Sequence, residues 1–317
     1  MNPKPLAILP YFYTMIKIPP YLKKGDTIAI VCPAGFLPLE KARTCIKTLT
    51  SWGYQVKIGK TLGNQFNYFS GTDAERLADL QSMLDDTEVK AILCGRGGYG
   101  VSRIIDGLDF RKFKKNPKWL IGFSDITVLH AHLFQQIKAA SLHAPMASAF
   151  NDGGAENDYV QSLRKALKGG KINYSCAPNS LNKIGKASGL LIGGNLSLIV
   201  HLIGTASAYQ TKNNILFIED IGEHIYHIDR MFLQLKRAGL LDGLAGLILG
   251  GFTDMQDTTI PFGTDVLTAI NEHLKEYTYP ICVDFPVSHA TENYALKVGV
   301  KHQLAVTKNK VQLKEMK

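Results

Sequence analysis

Short apolar runs alternate along the first half of the chain with segments in which apolar residues recur every three or four positions. Apolar runs bounded by turn residues are typical of buried strands, and the longer spacing is typical of helices. The predicted strands are Thr27–Val31, Tyr54–Ile58, Val89–Cys94 and Trp119–Phe123. The predicted helices are Leu39–Trp52, a helix from the capping box Thr72–Glu75 to Asp85, a short helix after Gly100 and a helix from Asp125 to Ile137. Strands alternating with helices predict a parallel sheet covered on both faces.

The pattern changes between Asn151 and Lys186, where glycine, proline and asparagine surround a single predicted helix, Tyr159–Leu167. We therefore predict an N-terminal domain at 18–150, a linker region at 151–186 and a C-terminal domain at 187–317. The C-terminal domain is also predicted to be α/β. Its predicted strands are Ile215–Glu219, Ala245–Leu249 and Ile281–Asp284, and its predicted helices lie near Asn195–Ile203, Glu223–Arg237 and Thr264–Tyr277.

The 317 residues, 45% hydrophobic and 20% charged, suffice for two globular domains. Every apolar run is shorter than the ~20 residues of a membrane span, so we expect no membrane association. The N-terminal run Leu6–Ile16 is broken by Pro10 and lacks a cleavage site, so we do not predict a signal peptide. Met15 is an alternative start, which would make residues 1–14 an extension.

The formal net charge of +9 favours an anionic substrate. The basic residues are scattered, and the densest cluster, Arg111–Lys115, lies in a short connection, so we expect no nucleic-acid partner. The five cysteines are far apart and form no C-x-x-C motif. This spacing argues against a disulfide framework or a structural zinc site and fits a reducing compartment.

Ser124 stands between a predicted strand and a predicted helix, two residues after Gly122. The arrangement is similar to a nucleophile elbow, although Ile126 replaces the second glycine of G-x-S-x-G. The free N–H groups at the start of the helix would favour negative charge developing near the serine. The alternative interpretation is that Ser124 is an ordinary helix N-cap.

A glycine-rich loop, Gly95–Gly100, follows the third predicted strand and fits G-x-G-x-x-G. It allows two interpretations. The first is a dinucleotide-binding oxidoreductase, although the expected acidic residue after the next strand is missing. The second is an oxyanion hole for Ser124, built from the N–H groups of Asp125 and of Gly97 or Gly98. Arg96 in this loop either binds a substrate carboxylate or pairs with a surface acid.

A serine nucleophile needs a base and an acid that orients the base. His289 is the best candidate base, since it lies in a loop after a predicted strand, where a side chain can reach a cleft. Glu219 and Asp220 both end a predicted strand, and either is a candidate acid. The order serine, acid, histidine matches that of α/β-hydrolases. No third ligand accompanies the histidine pair at 224 and 227, so we predict no metal site.

The chain resembles the LD-carboxypeptidases, which include murein tetrapeptide carboxypeptidases and microcin C self-immunity peptidases. The resemblance runs from about Pro20 to Gly299 and is carried by several motifs together. They are Val31–Gly35, Arg96–Gly100, Ile121–Thr127, Gly193–Ser197, Phe217–Asp220, Tyr226–Arg230 and Ser288–Asn293. Two positions depart from the family pattern: Ser288 stands where glycine is common, and Lys297 where proline is common.

The resemblance implies a Ser-Glu-His triad formed by Ser124, Glu219 and His289, without a metal or other cofactor. It implies hydrolysis of the amide before a C-terminal D-amino acid, as in release of D-alanine from murein tetrapeptide during cytoplasmic peptidoglycan recycling. Arg96 and Arg230 are candidates to bind the terminal carboxylate. A homodimer is also implied, with a Rossmann- or flavodoxin-like N-terminal domain and a C-terminal α/β domain containing a small β-barrel-like unit.

Two further alternatives stay open at this point. A microcin C-type self-immunity peptidase would cleave an acyl-sulfamoyl adenylate with the same three residues. A binding protein without catalytic activity is the other, because Ser288 is a direct neighbour of the candidate base.

Overall fold

The computed structural model describes residues 15–316, so the predictions for residues 1–14 lie outside the described residues. The strands are β1 (Thr27–Val31), β2 (Gln55–Ile58), β3 (Val89–Cys94), β4 (Trp119–Gly122), β5 (Ser141–His143), β6 (Asn173–Cys176), β7 (Gly185–Asn195), β8 (Ile215–Ile221), β9 (Gly246–Thr253), β10 (Ile281–Cys282), β11 (Leu296–Val298), β12 (Lys301–Val306) and β13 (Val311–Glu315). The α-helices are α1 (Leu39–Ser51), α2 (Asp73–Asp85), α3 (Arg111–Lys115), α4 (Thr127–His132), α5 (Asp158–Leu167), α6 (Leu196–His201), α7 (Ile225–Arg237) and α8 (Val266–Leu274). All predicted strands and longer helices are present, with ends that differ by a few residues.

The first sheet has the strand order β11-β5-β4-β3-β1-β2, and each pair is parallel except β11 with β5. Neighbouring residues of β1 face opposite sides: Ile28 packs with apolar residues of α1, and Ala29 packs with those of α2. Burial on both faces explains the unbroken apolar sequence of the central strands. The predicted parallel sheet, covered on both faces, is confirmed.

The second sheet has the order β10-β9-β8-β7-β12-β13-β6. Strand β7 changes partner along its length: Leu191–Asn195 pairs parallel with β8, and Gly185–Leu190 pairs antiparallel with β12. The segment before β7 returns along β10, where Lys183 and Ile281 exchange backbone hydrogen bonds of 3.0 and 3.1 Å. The antiparallel part has the open order β7-β12-β13-β6, and the barrel-like character that the resemblance implied stays a prediction.

Strand β11 comes from the C-terminal half of the chain but pairs with β5 in the first sheet. The segment 283–295 therefore connects β10 in the second sheet to β11 in the first. The proposed domain division stays a prediction, and the two halves share a sheet. Within residues 15–316, none of the helices combines the length and the apolar character that crossing a bilayer requires.

Candidate active site

Ser124 follows β4 in a sharp turn. Its φ angle is 62°, in the left-handed region, which costs a non-glycine residue of order 1–3 kcal/mol. The turn continues into a 3₁₀ segment, Ser124–Ile126, and then into α4. A Cβ on Gly122 would lie 2.9 Å from Cγ1 of the buried Ile126, so the isoleucine occupies the space that the glycine leaves. The chain thus forms an elbow although the second glycine of the motif is absent.

The N-cap interpretation of Ser124 is not supported. Phe123 and Ile126 hold the cap positions of the 3₁₀ segment and of α4, and neither helix start in this part of the described chain has a capping side-chain hydrogen bond. The side chain of Ser124 is partly exposed. Its hydroxyl is therefore available to a bound molecule.

The glycine-rich loop lies directly against the elbow. A Cβ on Gly97 would lie 2.9 Å from Cβ of Ser124, 3.1 Å from its Oγ and 3.4 Å from the backbone nitrogen of Asp125. The carbonyl of Gly97 accepts a hydrogen bond from the N–H of Gly35 at 3.0 Å, which fixes the loop. Within residues 15–316, the N–H groups of Gly97 and Gly98 donate to no backbone carbonyl. The predicted oxyanion hole stays a prediction, and this geometry suits it.

The dinucleotide interpretation of the loop lacks its structural context. The predicted short helix after Gly100 consists of two 3₁₀ turns, Val101–Arg103 and Ile105–Gly107. A dinucleotide site places the pyrophosphate at the N-terminus of an α-helix that starts directly after the loop. No such α-helix starts here in the described chain.

Asp125 has a second role that the sequence did not indicate. Its carboxylate is fully buried, and Oδ2 accepts a hydrogen bond of 2.9 Å from the N–H of Val101 at the end of the glycine-rich loop. Burial raises the pKa of Asp125 to about 6, against the opposing effect of this hydrogen bond. The side chain therefore ties the loop to the elbow.

The candidate base and acid form a hydrogen-bonded pair. Nδ1 of His289 lies 2.6 Å from Oε2 of Glu219. Glu219 is fully buried near the carboxyl end of β8, and burial raises its pKa, with the hydrogen bond from His289 acting in the opposite direction. Burial lowers the pKa of His289, but the hydrogen bond and the charge of Glu219 outweigh it, so that the net shift is upward.

Asp220, the alternative acid, makes different contacts. Its Oδ2 accepts hydrogen bonds from the N–H of Ser197 at 3.0 Å and from the hydroxyl of Ser197 at 2.7 Å, and Oδ1 accepts from Nδ2 of Asn195 at 2.8 Å. Asp220 therefore holds the start of α6, and the open choice between the two acids is resolved in favour of Glu219 as the partner of His289.

Asn195, at the end of β7 in the second sheet, is hydrogen-bonded to α4 beside the elbow, a role that the sequence did not reveal. Its N–H donates to Oγ1 of Thr127 in α4 at 3.0 Å. A Cβ on the preceding Gly194 would lie 2.4 Å from the same Thr127 oxygen, so only glycine permits this approach. The glycines of the motif Gly193–Ser197 were the available signal.

The elbow and the base adjoin through Phe123. The ring of Phe123, next to Ser124, meets the imidazole of His289 edge-on, with centroids 4.9 Å apart. The described residues include no hydrogen bond between Ser124 and His289. Catalytic hydrogen bonds of unliganded enzymes often form fully only with substrate.

Ser288 braces the loop that carries the base. It is buried, its Oγ donates to the carbonyl of Glu292 at 3.0 Å, and the same oxygen accepts from the N–H of Ala290 at 3.0 Å. Serine, at a position where the family commonly has glycine, therefore adds hydrogen bonds within the loop. The hydrogen bond between Glu219 and His289 is present beside it.

The two candidate arginines lie on the surface. Arg96 is exposed and donates from Nη1 to the carbonyl of Phe36 at 2.9 Å. Arg230 is exposed on α7, with its guanidinium 5.6 Å from the ring centre of Tyr226. Neither forms an ion pair within residues 15–316. Their role in substrate binding stays a prediction.

One of the two histidines at 224 and 227, for which we predicted no metal site, is hydrogen-bonded to a carboxylate. Nδ1 of His227 lies 2.8 Å from Oε2 of Glu223. Among residues 15–316, no group of three or more histidine, cysteine, aspartate or glutamate side chains is arranged to hold a metal ion.

Comparison with known proteins gives the family. Sequence models of the LD-carboxypeptidase N-terminal and C-terminal domains match residues 28–144 and 188–304. A Bacillus subtilis protein named "Probable murein peptide carboxypeptidase" is 37% identical over 292 residues, which cover 89% of this chain and 90% of that protein.

Solved structures agree with this result. The crystal structure of muramoyltetrapeptide carboxypeptidase from Oxalobacter formigenes has a TM-score of 0.84 at 29% identity and covers 92% of this chain and 99% of its own. A microcin C7 self immunity protein in complex with glutamyl sulfamoyl guanosine has a TM-score of 0.83 at 22% identity, over 94% of this chain and 98% of its own, and shares the fold. The chain therefore belongs to the LD-carboxypeptidase family, and it is an enzyme of the serine carboxypeptidase class.

Proposed function

We propose that this enzyme hydrolyses the amide before a C-terminal D-alanine of murein tetrapeptide, with Ser124 as nucleophile, His289 as base and Glu219 as the acid that orients the base. The single observation that carries the proposal is the 2.6 Å contact between Glu219 and His289 next to the elbow of Ser124. The names of the Bacillus and Oxalobacter relatives support murein peptides as the substrate class.

The proposed mechanism is acyl transfer in two steps. His289 takes the proton of the Ser124 hydroxyl through Nε2 while Oγ attacks the carbonyl carbon. The tetrahedral intermediate collapses to an acyl-enzyme ester as the imidazolium gives its proton to the leaving amine of D-alanine. Water, deprotonated by His289, then attacks the ester, and the proton returns to Ser124.

The neighbouring groups stabilise the charges that develop in these steps. The oxyanion accepts hydrogen bonds from the N–H of Asp125 and from Gly97 or Gly98; losing one such donor typically costs about 10²–10³ in rate. Glu219 fixes the tautomer of His289 and stabilises the imidazolium. Arg96 and Arg230 offer positive charge for the terminal carboxylate of the substrate. No metal or other cofactor takes part in this scheme.

The cellular setting is part of the proposal. Recycling of murein peptides would place the enzyme in the cytoplasm, and five cysteines that all remain free thiols suit that compartment. We also propose that the enzyme is a homodimer. Size-exclusion chromatography with light scattering would measure the mass of the particle directly.

The test measures by mass spectrometry how much D-alanine the wild type and Ser124→Ala release from murein tetrapeptide. We expect release by the wild type and a loss of several orders of magnitude in the variant, because a triad without its nucleophile keeps only residual catalysis. Equal release from both proteins would refute Ser124 as the nucleophile. The microcin-type alternative is tested by incubating both proteins with an aminoacyl sulfamoyl adenosine and following its hydrolysis by mass spectrometry.

A further inference from the structure

The chain segment that joins β6 to β7 holds the two edge strands of the second sheet, β6 and β10, close together. In addition to its backbone hydrogen bonds with β10, this segment makes two side-chain contacts. Oδ1 of Asn182 accepts a hydrogen bond of 2.8 Å from the N–H of Val283, and Nδ2 of Asn179 donates to Oδ2 of Asp284 at 2.5 Å. Strand β6 ends at Cys176, shortly before Asn179, so these contacts keep the end of β6 beside β10.

Each edge strand ends in a cysteine, and the two thiols meet. Cys176 is the last residue of β6, and Cys282 is the last residue of β10. Alternate residues of a strand share a face, so Cys176 points to the same side as the buried Tyr174 and packs against the core that contains Cys282. The side chains of the two cysteines are hydrogen-bonded to each other. Residues far apart in sequence thus place two sulfur atoms in contact.

The two thiols differ in acidity and in exposure. Cys282 is fully buried, whereas Cys176 is partly exposed. The hydrogen bond from Cys282 lowers the pKa of Cys176, against the effects of burial and of the charge of Asp284. The same hydrogen bond, together with burial, raises the pKa of Cys282. The thiolate is the nucleophilic form of cysteine, so Cys176 is both the thiol that ionises first and the thiol that a dissolved reagent reaches.

The remaining three cysteines lack these properties. Cys32, Cys45 and Cys94 are fully buried. Burial raises the pKa of each of these thiols, so they stay protonated at neutral pH. A buried, protonated thiol is inert towards oxidants and disulfides. Thiol chemistry on the folded chain is therefore expected at Cys176 and its neighbour Cys282.

We propose that Cys176 and Cys282 form a reversible disulfide, which joins the two edge strands of the second sheet when the protein meets a small disulfide compound such as oxidised glutathione. The S–S bond is about 2.05 Å long, so two sulfurs that are already in hydrogen-bonding contact have only a short gap to close. In a reducing compartment both residues stay free thiols, as they are in this structure. This modification site is independent of the proposed peptidase activity.

The bond forms by two thiol–disulfide exchanges. The thiolate of Cys176 attacks one sulfur of oxidised glutathione, whose S–S bond breaks, and one glutathione thiolate leaves as a mixed disulfide forms. Cys282, after losing its proton, attacks Sγ of Cys176 and expels the second glutathione. The protons of the two cysteines end on the two released glutathione thiols. Two cysteines are thus oxidised, and one molecule of oxidised glutathione is reduced.

The test incubates the full chain with oxidised glutathione under native conditions, blocks the remaining thiols with iodoacetamide in denaturant and maps the peptides by mass spectrometry. We expect a linked pair of peptides that contain Cys176 and Cys282, two hydrogen atoms lighter than the separate peptides together. Dithiothreitol should release both peptides again. The other three cysteines should carry the iodoacetamide label. The oxidised protein should also unfold at a higher temperature than the reduced protein, because the cross-link restricts the unfolded chain.

Three single variants assign the two steps. C282S should stop at the mixed disulfide and keep glutathione on Cys176, because the second thiol is missing. C176S should take up no glutathione on Cys282, because that sulfur is buried. C45S removes a buried cysteine of α1 and is the matched control, which should form the same bond as the wild type.

The wild-type protein alone decides the outcome, so the proposal can be refuted even if a variant fails to fold. Wild-type protein in which both thiols stay free overturns the proposal. Wild-type protein that keeps glutathione on Cys176, without a linked pair, also overturns it, because the second exchange has then failed. A linked pair that forms at the same rate in C45S supports it.

Discussion

Glu219 and Asp220 show at the scale of single residues what the sequence leaves undecided. Side chains of neighbouring strand residues point to opposite faces of a sheet, so two adjacent carboxylates at one strand end reach different partners. Glu219 meets His289, and Asp220 meets the start of α6. The sequence shows that both acids end the same strand. It does not show which of the two side chains faces the loop between β10 and β11, which carries His289.

The pH dependence of catalysis tests the Glu219–His289 pair. The base acts when neutral, so kcat/KM should fall as the pH drops through the pKa of His289, which lies above its ordinary value of 6.5. In Glu219→Gln the hydrogen bond and charge that raise this pKa are lost, while the burial that lowers it stays. The acid limb of the pH–rate profile should move to lower pH, and kcat should fall by about 10⁴, as for the acid-to-amide change in a triad.

Asp220→Asn serves as the control for this experiment. It removes a nearby charge but leaves the hydrogen bond of His289 intact, so its acid limb should move less. An acid limb at the same pH in wild type and Glu219→Gln would contradict the assigned pairing.

At the scale of elements, most strands found from sequence are buried on both faces, and the exposed edge strand β2 is the exception. Strands β12 and β13 alternate buried with more exposed residues, and polar side chains interrupt their apolar pattern. Strand β7 contains four glycines, which are uncommon in strands, and β11 has only three residues. Apart from the hairpin of β12 with β13, most of their pairing partners lie far away in sequence, so local patterns carry little information about them.

The buried ion pair at β11 is expected to stabilise the shared sheet. Nζ of Lys297 lies 2.9 Å from Oε2 of Glu315, and both side chains are almost completely buried. Lys297→Met leaves the carboxylate of Glu315 unpaired in the protein interior, which should lower the free energy of unfolding by about 3–5 kcal/mol. Chemical denaturation of the variant measures this loss.

The double variant K297M/E315Q distinguishes an unpaired charge from lost packing. It removes both charges and should recover a large part of the stability lost in K297M. Lys301→Met, an exposed lysine on β12, should change the unfolding free energy little. If the double variant is as unstable as K297M, the ion pair is not the cause.

At the scale of the whole molecule, buried histidines link stability to pH. Burial lowers the pKa of His130 and of His302 to about 4. Below pH 6.5 the unfolded chain takes up protons on these residues, while the folded chain stays neutral until about pH 4. Stability should therefore decrease from pH 6.5 to 4, with up to about 1.4 kcal/mol per pH unit from each histidine.

Chemical denaturation at several pH values in this range measures the slope. His302→Leu should reduce the slope by the share of one histidine, and His201→Leu, at an exposed position, should leave it unchanged. A slope that His302→Leu does not alter would show that His302 is not the source.

The pairing of β11 with β5 also has a consequence for biosynthesis. Ribosomes deliver the chain from its N-terminus, and N-terminal segments begin to fold while the rest is still being made. The edge of β5 has no strand to pair with until Leu296–Val298 has emerged, long after Ser124. An open edge is prone to pairing with other chains, so nascent or truncated forms ending before β11 should tend to aggregate. The proposed nucleophile is thus translated early, but the same late segment that closes the sheet also delivers His289, so the proposed triad cannot form until that segment has emerged.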